Sequence, residues 1–437
     1  MELKRTDLGV VHERVILVGA AFDTASEARE SVDELRHLAE TAGAVVVGEC
    51  IQLVRSPTPA TYLGAGKTEE LRRLCEERDA DVALFDVDLS ASQVRNIERI
   101  LDRKVIDRTE LILDIFAQGA RSAMACDQVE LAQLEYTYPR LRRMWTHLSR
   151  YEGGIGTRGP GERQLETDRR LVRRRITDLK RRIRRNVLRR ELEVQARREE
   201  FTACLVGYTN AGKSTLMNAL TGAGVLATDK LFATLDTRTR TCDLGGGRKI
   251  LLSDTVGFIR NLPHHLVASF HATLAEAREA DLLLHVVDAS SPHAEHQMAA
   301  VMDVLRELRC DEHAILCVYN KMDLVRDEST LPVLRRRFGE GVVISALTGR
   351  GLDELRHVIR QIADRNAPLI DVEMSPASGR LQAYLVEHAE VLTRRYGPDS
   401  VRMRVRIARR HIGTVRKLGG RILDPCAASG AEVSQHI

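Results

Sequence analysis

Glycine, lysine and hydroxyl side chains lie at a characteristic spacing in the segment FTACLVGYTNAGKST, residues 201–215. Four residues separate Gly207 from Gly212-Lys213-Ser214, an apolar strand precedes the segment, and a helical stretch follows it. In this context backbone amides and the helix N-terminus face phosphate groups, the lysine reaches the β- and γ-phosphates, and the serine hydroxyl can bind Mg²⁺. The segment therefore predicts phosphate contacts from Gly207, Tyr208, Thr209, Asn210, Ala211, Gly212, Lys213, Ser214 and Thr215.

A carboxylate and another glycine follow in Asp254-Thr-Val-Gly257, directly after the apolar run KILLS. A carboxylate at a strand end next to a phosphate-binding loop can hold Mg²⁺ through water, and the Gly257 amide can meet the γ-phosphate. We therefore add Gly257 to the predicted phosphate contacts and Asp254 to the predicted Mg²⁺ site.

Two further segments predict which base is bound. Asn320-Lys321-Met-Asp323 follows the apolar strand AILCVY, and Ser345-Ala346 follows the strand GVVI. A carboxylate in the first segment can accept two hydrogen bonds from N1–H and the exocyclic amine of guanine, a donor pair that adenine lacks. The Ala346 amide can meet guanine O6. The predicted guanine-binding residues are Asn320, Lys321, Asp323, Ser345, Ala346 and Leu347.

The segment LFATLDTRTRT, residues 231–241, lies between the loop and DTVG, where a threonine is needed to close on Mg²⁺ and the γ-phosphate. Thr234 is our choice, with Thr237 and Thr239 as alternatives. The predicted Mg²⁺ site is thus Ser214, Thr234 and Asp254, and the predicted catalytic residues are Lys213, Thr234 and Gly257.

Phe258 follows Gly257, at a position where many GTPases place a glutamine that orients the attacking water. Phenylalanine cannot orient water, so we expect slow intrinsic hydrolysis that a partner or an ordered switch accelerates. Asn210 in the phosphate-binding loop is in a position to help bind a monovalent cation such as K⁺, which makes K⁺ a second predicted cofactor.

The elements that position these residues form four predicted parts of an α/β fold. Residues 1–125 alternate apolar strands with helical stretches, typical of βαβ units and a mainly parallel sheet. Residues 126–200 form an antiparallel helical hairpin with helices at about 128–150 and 162–199. Residues 201–366 form a Ras-like P-loop domain, and residues 367–437 a small α+β domain. The last part contains a helix near 381–395 and the alternating strand VRMRVRI.

The hairpin is strongly basic around a glycine-rich connection, YEGGIGTRGPGERQ. Residues 169–198 contain 14 basic and three acidic side chains, a net charge of +11 in a chain whose total is +4. A charge distribution this uneven favours RNA over a merely solvated helix, and the low aromatic content favours phosphate contacts over base stacking. The residues predicted to contact RNA are Gly153, Gly154, Gly156, Arg158, Gly159, Gly161, Arg163, Arg181, Arg182, Arg184 and Arg185.

Composition and residue spacing argue against several other classes of protein. No stretch approaches the roughly 20 apolar residues of a membrane helix, and the N-terminus does not have the pattern of a signal peptide. The eight cysteines are scattered without CxxC spacing, so neither a zinc site nor a disulfide framework is indicated. We expect a cytoplasmic monomer, with partial association with a membrane left open.

A second glycine-rich turn, TYLGAGKTEEL at 61–71, resembles half of a phosphate-binding loop. Thr61 stands where the complete motif has glycine. Two interpretations stay open, a tight turn that caps a helix and a phosphate contact for an adenine nucleotide.

The glycine-rich loop together with GYTNAGKS, LFATLD, DTVGFIR and NKMD closely resembles the signatures of the HflX family of GTPases. TYLGAGKTEEL, VIDRTELILDIFAQGA and QVELAQLEY resemble the N-terminal domain of that family. The resemblance extends over about residues 10–370. The segment RSAMACD at 121–127 departs from it, because the family usually has a charged stretch there.

The resemblance implies a ribosome-associated GTPase that binds GTP and GDP, the large ribosomal subunit with its 23S rRNA, and the 70S ribosome. It further implies splitting or rescue of stalled ribosomes under stress, a glycine-rich loop that approaches the peptidyl-transferase region, a hydrophobic residue at the position of Phe258, and ATP binding by the N-terminal domain. The alternatives are a factor for assembly or hibernation of the large subunit, and a regulator of a membrane-bound protease.

Overall fold

The structure is a computed structural model that describes residues 13–21, 25–53, 56–144, 160–196, 201–222, 231–232, 238–245, 248–260, 276–310, 313–325 and 330–423. Three sheets organise these residues, with a helical hairpin between the first two in the chain. The predicted α/β fold is confirmed.

The first sheet is parallel, in the order β2-β1-β3-β4. Its apolar strands are covered by helices on both faces, as parallel sheets require. Ser90 begins α3 with a capping box, and Asp107 begins α4 by accepting a hydrogen bond from the Glu110 amide at 2.9 Å. The elements are β1 (Arg14–Ala21), α1 (Ala25–Ala42), β2 (Val45–Leu53), α2 (Ala65–Glu77), β3 (Val82–Phe85), α3 (Ala91–Leu101), β4 (Lys104–Asp107) and α4 (Arg108–Gly119).

The hairpin consists of α5 (Ala123–Met144) and α6 (Pro160–Ala196). Contacts across the hairpin show that the helices are antiparallel, because the partner in α6 comes earlier as the residue in α5 comes later. Asp127 lies 3.8 Å from Arg182, and the Tyr138 hydroxyl accepts from Arg173 at 2.7 Å. In α6, Leu179 is fully buried, and Val172, Ile176 and Ile183 are half-buried on the same face, which we call the seam of α6. Helix α5 begins five residues earlier than predicted, because the Ser122 hydroxyl accepts from the Ala125 amide at 3.1 Å and the side chain of Ala125 is buried.

The central sheet has the order β10-β9-β8-β5-β7-β6 and is parallel except for the edge strand β6. Our sequence analysis missed β6, whose polar segment RTRTCD has no apolar run to mark it and buries only Cys242. The elements are β5 (Thr202–Gly207), α7 (Lys213–Thr221), β6 (Arg238–Asp243), β7 (Lys249–Asp254), β8 (Leu282–Asp288), α8 (Ala294–Glu307), β9 (Ala314–Asn320), α9 (Thr330–Phe338), β10 (Gly341–Val343) and α10 (Leu352–Asn366).

The last sheet is antiparallel, in the order β12-β13-β11-β14. The helix predicted near 381–395 is wrong in its second half, because it ends at His388 and residues 389–396 form the strand β12 paired with β13. Strand β13 alternates as predicted, with its valines, Met403 and Ile407 buried on one face. The elements are β11 (Leu369–Met374), α11 (Gly379–His388), β12 (Ala389–Tyr396), β13 (Val401–Ile407), α12 (Arg409–Lys417) and β14 (Arg421–Leu423).

One apolar cluster joins the first sheet and its helices, which we call the N-terminal unit, to the central sheet. Phe116 of α4 packs edge-on against Phe232, with ring centroids 4.6 Å apart. Phe258 and Ile259, which follow DTVG, are buried in the same cluster as Leu111 and Ile112 of α4. The phosphate-binding loop therefore lies beside the N-terminal unit.

Candidate nucleotide-binding site

The predicted phosphate-binding loop connects the end of β5 to the start of α7. Both of its glycines have positive φ angles and leave no room for a side chain. Gly207 has φ +151° and Gly212 has φ +92°. A Cβ added at Gly207 would lie 2.3 Å from the carbonyl oxygen of Val286, and one added at Gly212 would lie 2.3 Å from Nδ2 of Asn320. Larger residues at either position would push the loop away from the neighbouring strands.

Lys213 lies inside this loop. It is 6% exposed, and its Nζ donates to the carbonyl oxygens of Gly207 at 3.0 Å and Tyr208 at 2.7 Å. Burial lowers its pKa to about 8, although the Asp254 carboxylate opposes the shift. The side chain is thus a cation at neutral pH, held where phosphate oxygens can replace its carbonyl partners.

Ser214 and Asp254 are brought together as the Mg²⁺ prediction requires. The Ser214 hydroxyl donates to Oδ2 of Asp254 at 2.7 Å, and Asp254 is 1% exposed. A hydroxyl and a buried carboxylate at this spacing fit an oxygen-ligated divalent cation, which would neutralise phosphate charge there. Thr234 and Thr237 lie outside the described residues. The alternative Thr239 lies in β6, and its hydroxyl shares a hydrogen bond with that of Ser253 at 2.9 Å.

The segment after Asp254 is tied directly to the loop. The Phe258 amide donates to the Gly207 carbonyl at 3.1 Å, and the Thr209 amide donates to the Phe258 carbonyl at 2.7 Å. Gly257 allows this approach, because an added Cβ would lie 2.9 Å from Thr209 Cα and from Lys213 Nζ. A γ-phosphate that binds at Gly257 can thus move the chain that follows it.

The predicted guanine segments meet at a buried asparagine. Asn320 is 2% exposed, and its Nδ2 donates to the Ala211 carbonyl while its Oδ1 accepts from the Ala346 amide, both at 2.9 Å. One side chain therefore joins the phosphate-binding loop to both base-recognition segments. A contact of the Ala346 amide with guanine O6 would have to share or replace its bond to Asn320.

The other predicted base contacts surround this asparagine. Lys321 has φ +62° and pairs with Asp288 at 2.7 Å. Ser345 is fully buried, and its hydroxyl accepts from the Thr348 amide at 3.2 Å. Asp323 and Leu347 are exposed, so both are open to a ligand. Asn210 is exposed in the phosphate-binding loop, with φ +59°.

Sequence reasoning missed a buried polar network behind the loop. The hydroxyl of Tyr208 bonds to Glu34 of α1 and accepts from the Arg260 amide at 2.9 Å. Arg108 of α4 donates to Glu34 at 2.8 Å, to Asp86 at 2.6 Å and to the Arg260 carbonyl at 3.0 Å. Because these residues are far apart in sequence and not periodic, no sequence pattern could have paired them.

The turn at 61–71 is built as a helix start. Gly64 precedes α2, the buried Thr61 donates to the Leu63 carbonyl at 2.8 Å, and Thr68 donates to the Gly64 carbonyl at 3.0 Å. Lys67 pairs with Glu70 at 2.6 Å. The lysine would have to leave this partner to meet a phosphate, and a nucleotide contact here stays a prediction.

The predicted RNA-contacting residues are only partly within the described structure. Gly153, Gly154, Gly156, Arg158 and Gly159 lie outside it, while Gly161 and Arg163 lie in the first turn of α6. The remaining predicted RNA-contacting residues are all exposed on α6; they are Arg181, Arg182, Arg184 and Arg185. Arg182 lies 3.8 Å from Asp127 across the hairpin, and Arg181 lies 3.4 Å from Asp178.

Comparisons with known proteins cover nearly the whole chain. Residues 29–117 match the model of the GTP-binding GTPase N-terminal family, residues 119–197 that of the GTP-binding GTPase Middle Region, and residues 202–321 that of the 50S ribosome-binding GTPase family. The GTPase HflX of Magnetococcus marinus is 46% identical over 92% of this chain and 94% of that protein. The GTPase HflX of Escherichia coli K12 is 44% identical over 85% and 88%.

This chain belongs to the GTPase HflX family.

As an HflX GTPase, the chain binds GTP and hydrolyses it, and P-loop GTPases generally use Mg²⁺ with the nucleotide. Among solved structures, a GTP-binding protein of Sulfolobus solfataricus in complex with GDP is 25% identical, with a TM-score of 0.43, over 81% of this chain and 99% of that one. None of the described helices is long and apolar enough to cross a membrane.

Proposed function

We propose that this chain binds the large ribosomal subunit in its GTP-bound state and dissociates or rescues stalled ribosomes, and that the ribosome stimulates its GTP hydrolysis. The family model that matches residues 202–321 describes a 50S ribosome-binding GTPase. The single observation that supports the proposal most strongly is the exposed arginine face of the hairpin helix α6. This helix directly precedes the P-loop domain of residues 201–366, the G domain, in the chain.

That arginine face is set by packing. The seam of α6 faces α5 through Leu179, so Arg181, Arg184 and Arg185 point away from the hairpin and are exposed. A phosphate-lined surface would attract them through counterion release, a term that depends on salt and not on base sequence. Arg182 is also exposed, but it lies close to Asp127 across the hairpin, so we do not count it in this face.

Burial of Phe258 supports the dependence of hydrolysis on a partner. The side chain is 3% exposed and belongs to the apolar cluster between the phosphate-binding loop and α4. It can neither hydrogen-bond to a water molecule nor reach one without leaving the cluster. We therefore propose slow intrinsic hydrolysis, with a group ordered or supplied on the ribosome to position the water. Equal turnover in KCl and NaCl would contradict the further proposal that Asn210 helps bind K⁺.

In this proposal the four parts of the chain have separate tasks. Residues 1–125 form an N-terminal α/β domain with an ATP contact at the turn 61–71, and residues 126–200 contact rRNA. Residues 201–366 bind and hydrolyse GTP, and residues 367–437 form a small C-terminal domain. The protein acts as a monomer in the cytoplasm. The assignment of the site residues predicted from the sequence, including Thr234, is part of the proposal.

Sedimentation of 70S ribosomes tests the function. The full chain is incubated with ribosomes and either GDP or a non-hydrolysable GTP analogue, and the particles are separated on a sucrose gradient. We expect fewer 70S particles, and chain on the 50S peak, with the analogue only. Association with free 50S subunits without loss of 70S particles would favour the alternative, a factor for large-subunit assembly or hibernation. No association with either particle would contradict both.

Arginine variants test the surface. We expect the triple variant Arg181→Gln, Arg184→Gln and Arg185→Gln to bind 50S subunits more weakly and to lower the slope of log K against log salt by about 2–3. A matched triple variant, Arg73→Gln, Arg99→Gln and Arg336→Gln, removes the same charge from exposed positions on three other helices. It should bind as the wild type does. Equal losses in the two variants would mean that total charge matters and the face does not.

A further inference from the structure

A buried carboxylate and two imidazoles lie together where the N-terminal unit meets the central sheet. Glu30 of α1 is 9% exposed, and its Oε2 lies 3.2 Å from Nδ1 of His296. Its Oε1 lies 3.4 Å from Nδ1 of His293. The three ligand atoms all lie within 4.8 Å of one another. These residues are far from one another in sequence, except for the two histidines.

The local structure explains why the imidazoles converge. His293 is the residue immediately before α8, and His296 is in its first turn. Residues three apart on a helix lie on one face, so both rings are presented to α1. Both rings reach the surface, since the side chain of His293 is 36% and that of His296 58% exposed.

The distances fit one class of metal ion. Tetrahedral Zn²⁺ binds imidazole nitrogen and carboxylate oxygen at about 2.0–2.1 Å, which places adjacent ligand atoms about 3.3 Å apart. The separation of 3.2 Å between Oε2 of Glu30 and Nδ1 of His296 matches that edge, and the set of ligand atoms that includes His293 lies within 4.8 Å. Two imidazoles disfavour Mg²⁺ and Ca²⁺, which prefer oxygen ligands.

Arg260 completes the surroundings of the carboxylate. Its Nη1 lies 3.0 Å from Oε1 of Glu30, so a guanidinium already fixes one carboxylate oxygen and leaves Oε2 directed at His296. Ligating carboxylates commonly have such an outer partner. The positive charge of Arg260 opposes a second cation, which favours an ion that binds imidazole strongly over one that relies on charge alone.

We propose that Glu30, His293 and His296 form a binding site for a Zn²⁺-class divalent ion, with a fourth position open to water. The ion joins α1 to α8 and thereby fastens the N-terminal unit to the G domain beside Arg260. Because Arg260 follows Phe258 by two residues, the ion also restrains the segment after Gly257. The inference concerns a site distinct from the Mg²⁺ site at Ser214 and Asp254 and does not depend on ribosome binding.

Zinc stoichiometry of the full chain tests the site. The wild-type protein is stripped of metal with a chelator, dialysed, and titrated with Zn²⁺ in competition with a chromogenic chelator. We expect the double variant His293→Ala and His296→Ala to bind one Zn²⁺ fewer per chain than the wild type. A control double variant, His37→Ala and His357→Ala, removes two exposed imidazoles elsewhere and should bind as many ions as the wild type. Equal stoichiometry and affinity in the wild type and the first variant would overturn the proposal.

Two further measurements guard against a variant that fails to fold. Both variants should retain guanine-nucleotide binding, and Zn²⁺ but not Mg²⁺ should raise the melting temperature of the wild type more than that of the His293→Ala and His296→Ala protein. If the double histidine variant does not fold, the wild-type protein and the Glu30→Gln protein are each loaded with Co²⁺ in separate samples. Intense visible absorption of tetrahedral Co²⁺, lost in Glu30→Gln, supports the site. A weak octahedral spectrum in the wild type contradicts it.

Discussion

The buried guanidinium of Arg108 donates a hydrogen bond to the main-chain carbonyl of Arg260 across 3.0 Å. Arg108 is the first residue of α4 in the N-terminal unit, and Arg260 comes shortly after DTVGF in the G domain. The same guanidinium forms ion pairs with Asp86 and Glu34, and Glu34 in turn bonds to Tyr208 of the phosphate-binding loop. The phosphate-binding loop and the segment after Gly257, the predicted γ-phosphate contact, are therefore both hydrogen-bonded to the N-terminal unit.

Replacement of Arg108 should destabilise the chain strongly. Arg108→Met removes the charge that compensates two carboxylates, and loss of one partner of a buried ion pair costs about 3–5 kcal/mol. Chemical unfolding followed by circular dichroism measures the loss. The control Arg72→Met removes a surface arginine paired with Glu69 on α2 and should leave the unfolding midpoint almost unchanged. A similar midpoint for both variants would show that the Arg108 network adds no stability.

Asn320→Ala should weaken guanine-nucleotide binding. The substitution removes two buried hydrogen bonds, to Ala211 and Ala346, and frees both segments. At about 1–1.5 kcal/mol for each bond, GDP affinity should fall about 30- to 150-fold. Fluorescent GDP titration measures it. Asn96→Ala, which removes a solvent-exposed hydrogen bond to the Ala60 carbonyl at 3.0 Å in the N-terminal unit, is the control and should bind normally.

Gly212→Ala should impair the loop through a collision. Gly212 and Gly222 flank α7, and both have positive φ, +92° and +66°. An added Cβ meets Asn320 Nδ2 at 2.3 Å in the first case and nothing within 4 Å in the second. Both variants incur the backbone cost of about 1 kcal/mol, but only Gly212→Ala should lose nucleotide affinity by tenfold or more. Equal nucleotide affinities of the two variants would mean that Asn320 moves to make room for the added Cβ without loss of binding.

The buried His285 should make the chain sensitive to acid. It lies in the middle of β8 at 1% exposure, and burial together with the nearby Lys213 lowers its pKa to about 4. The unfolded chain protonates this histidine near pH 6.5 whereas the folded chain does not, so its contribution to stability is complete above pH 6.5 and is lost as the pH falls towards 4.

His285→Leu should remove that part of the acid dependence. The wild-type free energy of unfolding, relative to the variant, should fall by up to about 1.4 kcal/mol per pH unit below pH 6.5. Urea unfolding at pH 7.5 and 5.5 measures the difference. His357→Leu, at an exposed position of α10, should retain the wild-type pH dependence. Parallel pH profiles for the wild type and His285→Leu would refute the assignment.

Patterns within short segments predicted much of the G domain. The strands before Asp254, Asn320 and Ser345 were predicted within one or two residues, because each is a buried apolar run of a parallel sheet. Since the carboxyl ends of parallel strands meet at one edge, order along the chain was enough to bring these motifs together. The polar edge strand at 238–243 and the strand at 389–396 were missed, since neither has a buried face that marks it.

The sequence by itself determined the nucleotide chemistry and the family, because a phosphate-binding loop and a guanine motif are recognised from neighbouring residues. Only the tertiary structure decided what lies behind the loop. The contacts of Arg108 with Arg260, of Tyr208 with Glu34, and of Glu30 with His296 each join residues more than 150 positions apart. Such pairs follow from the packing of one unit against another, and no local periodicity encodes them.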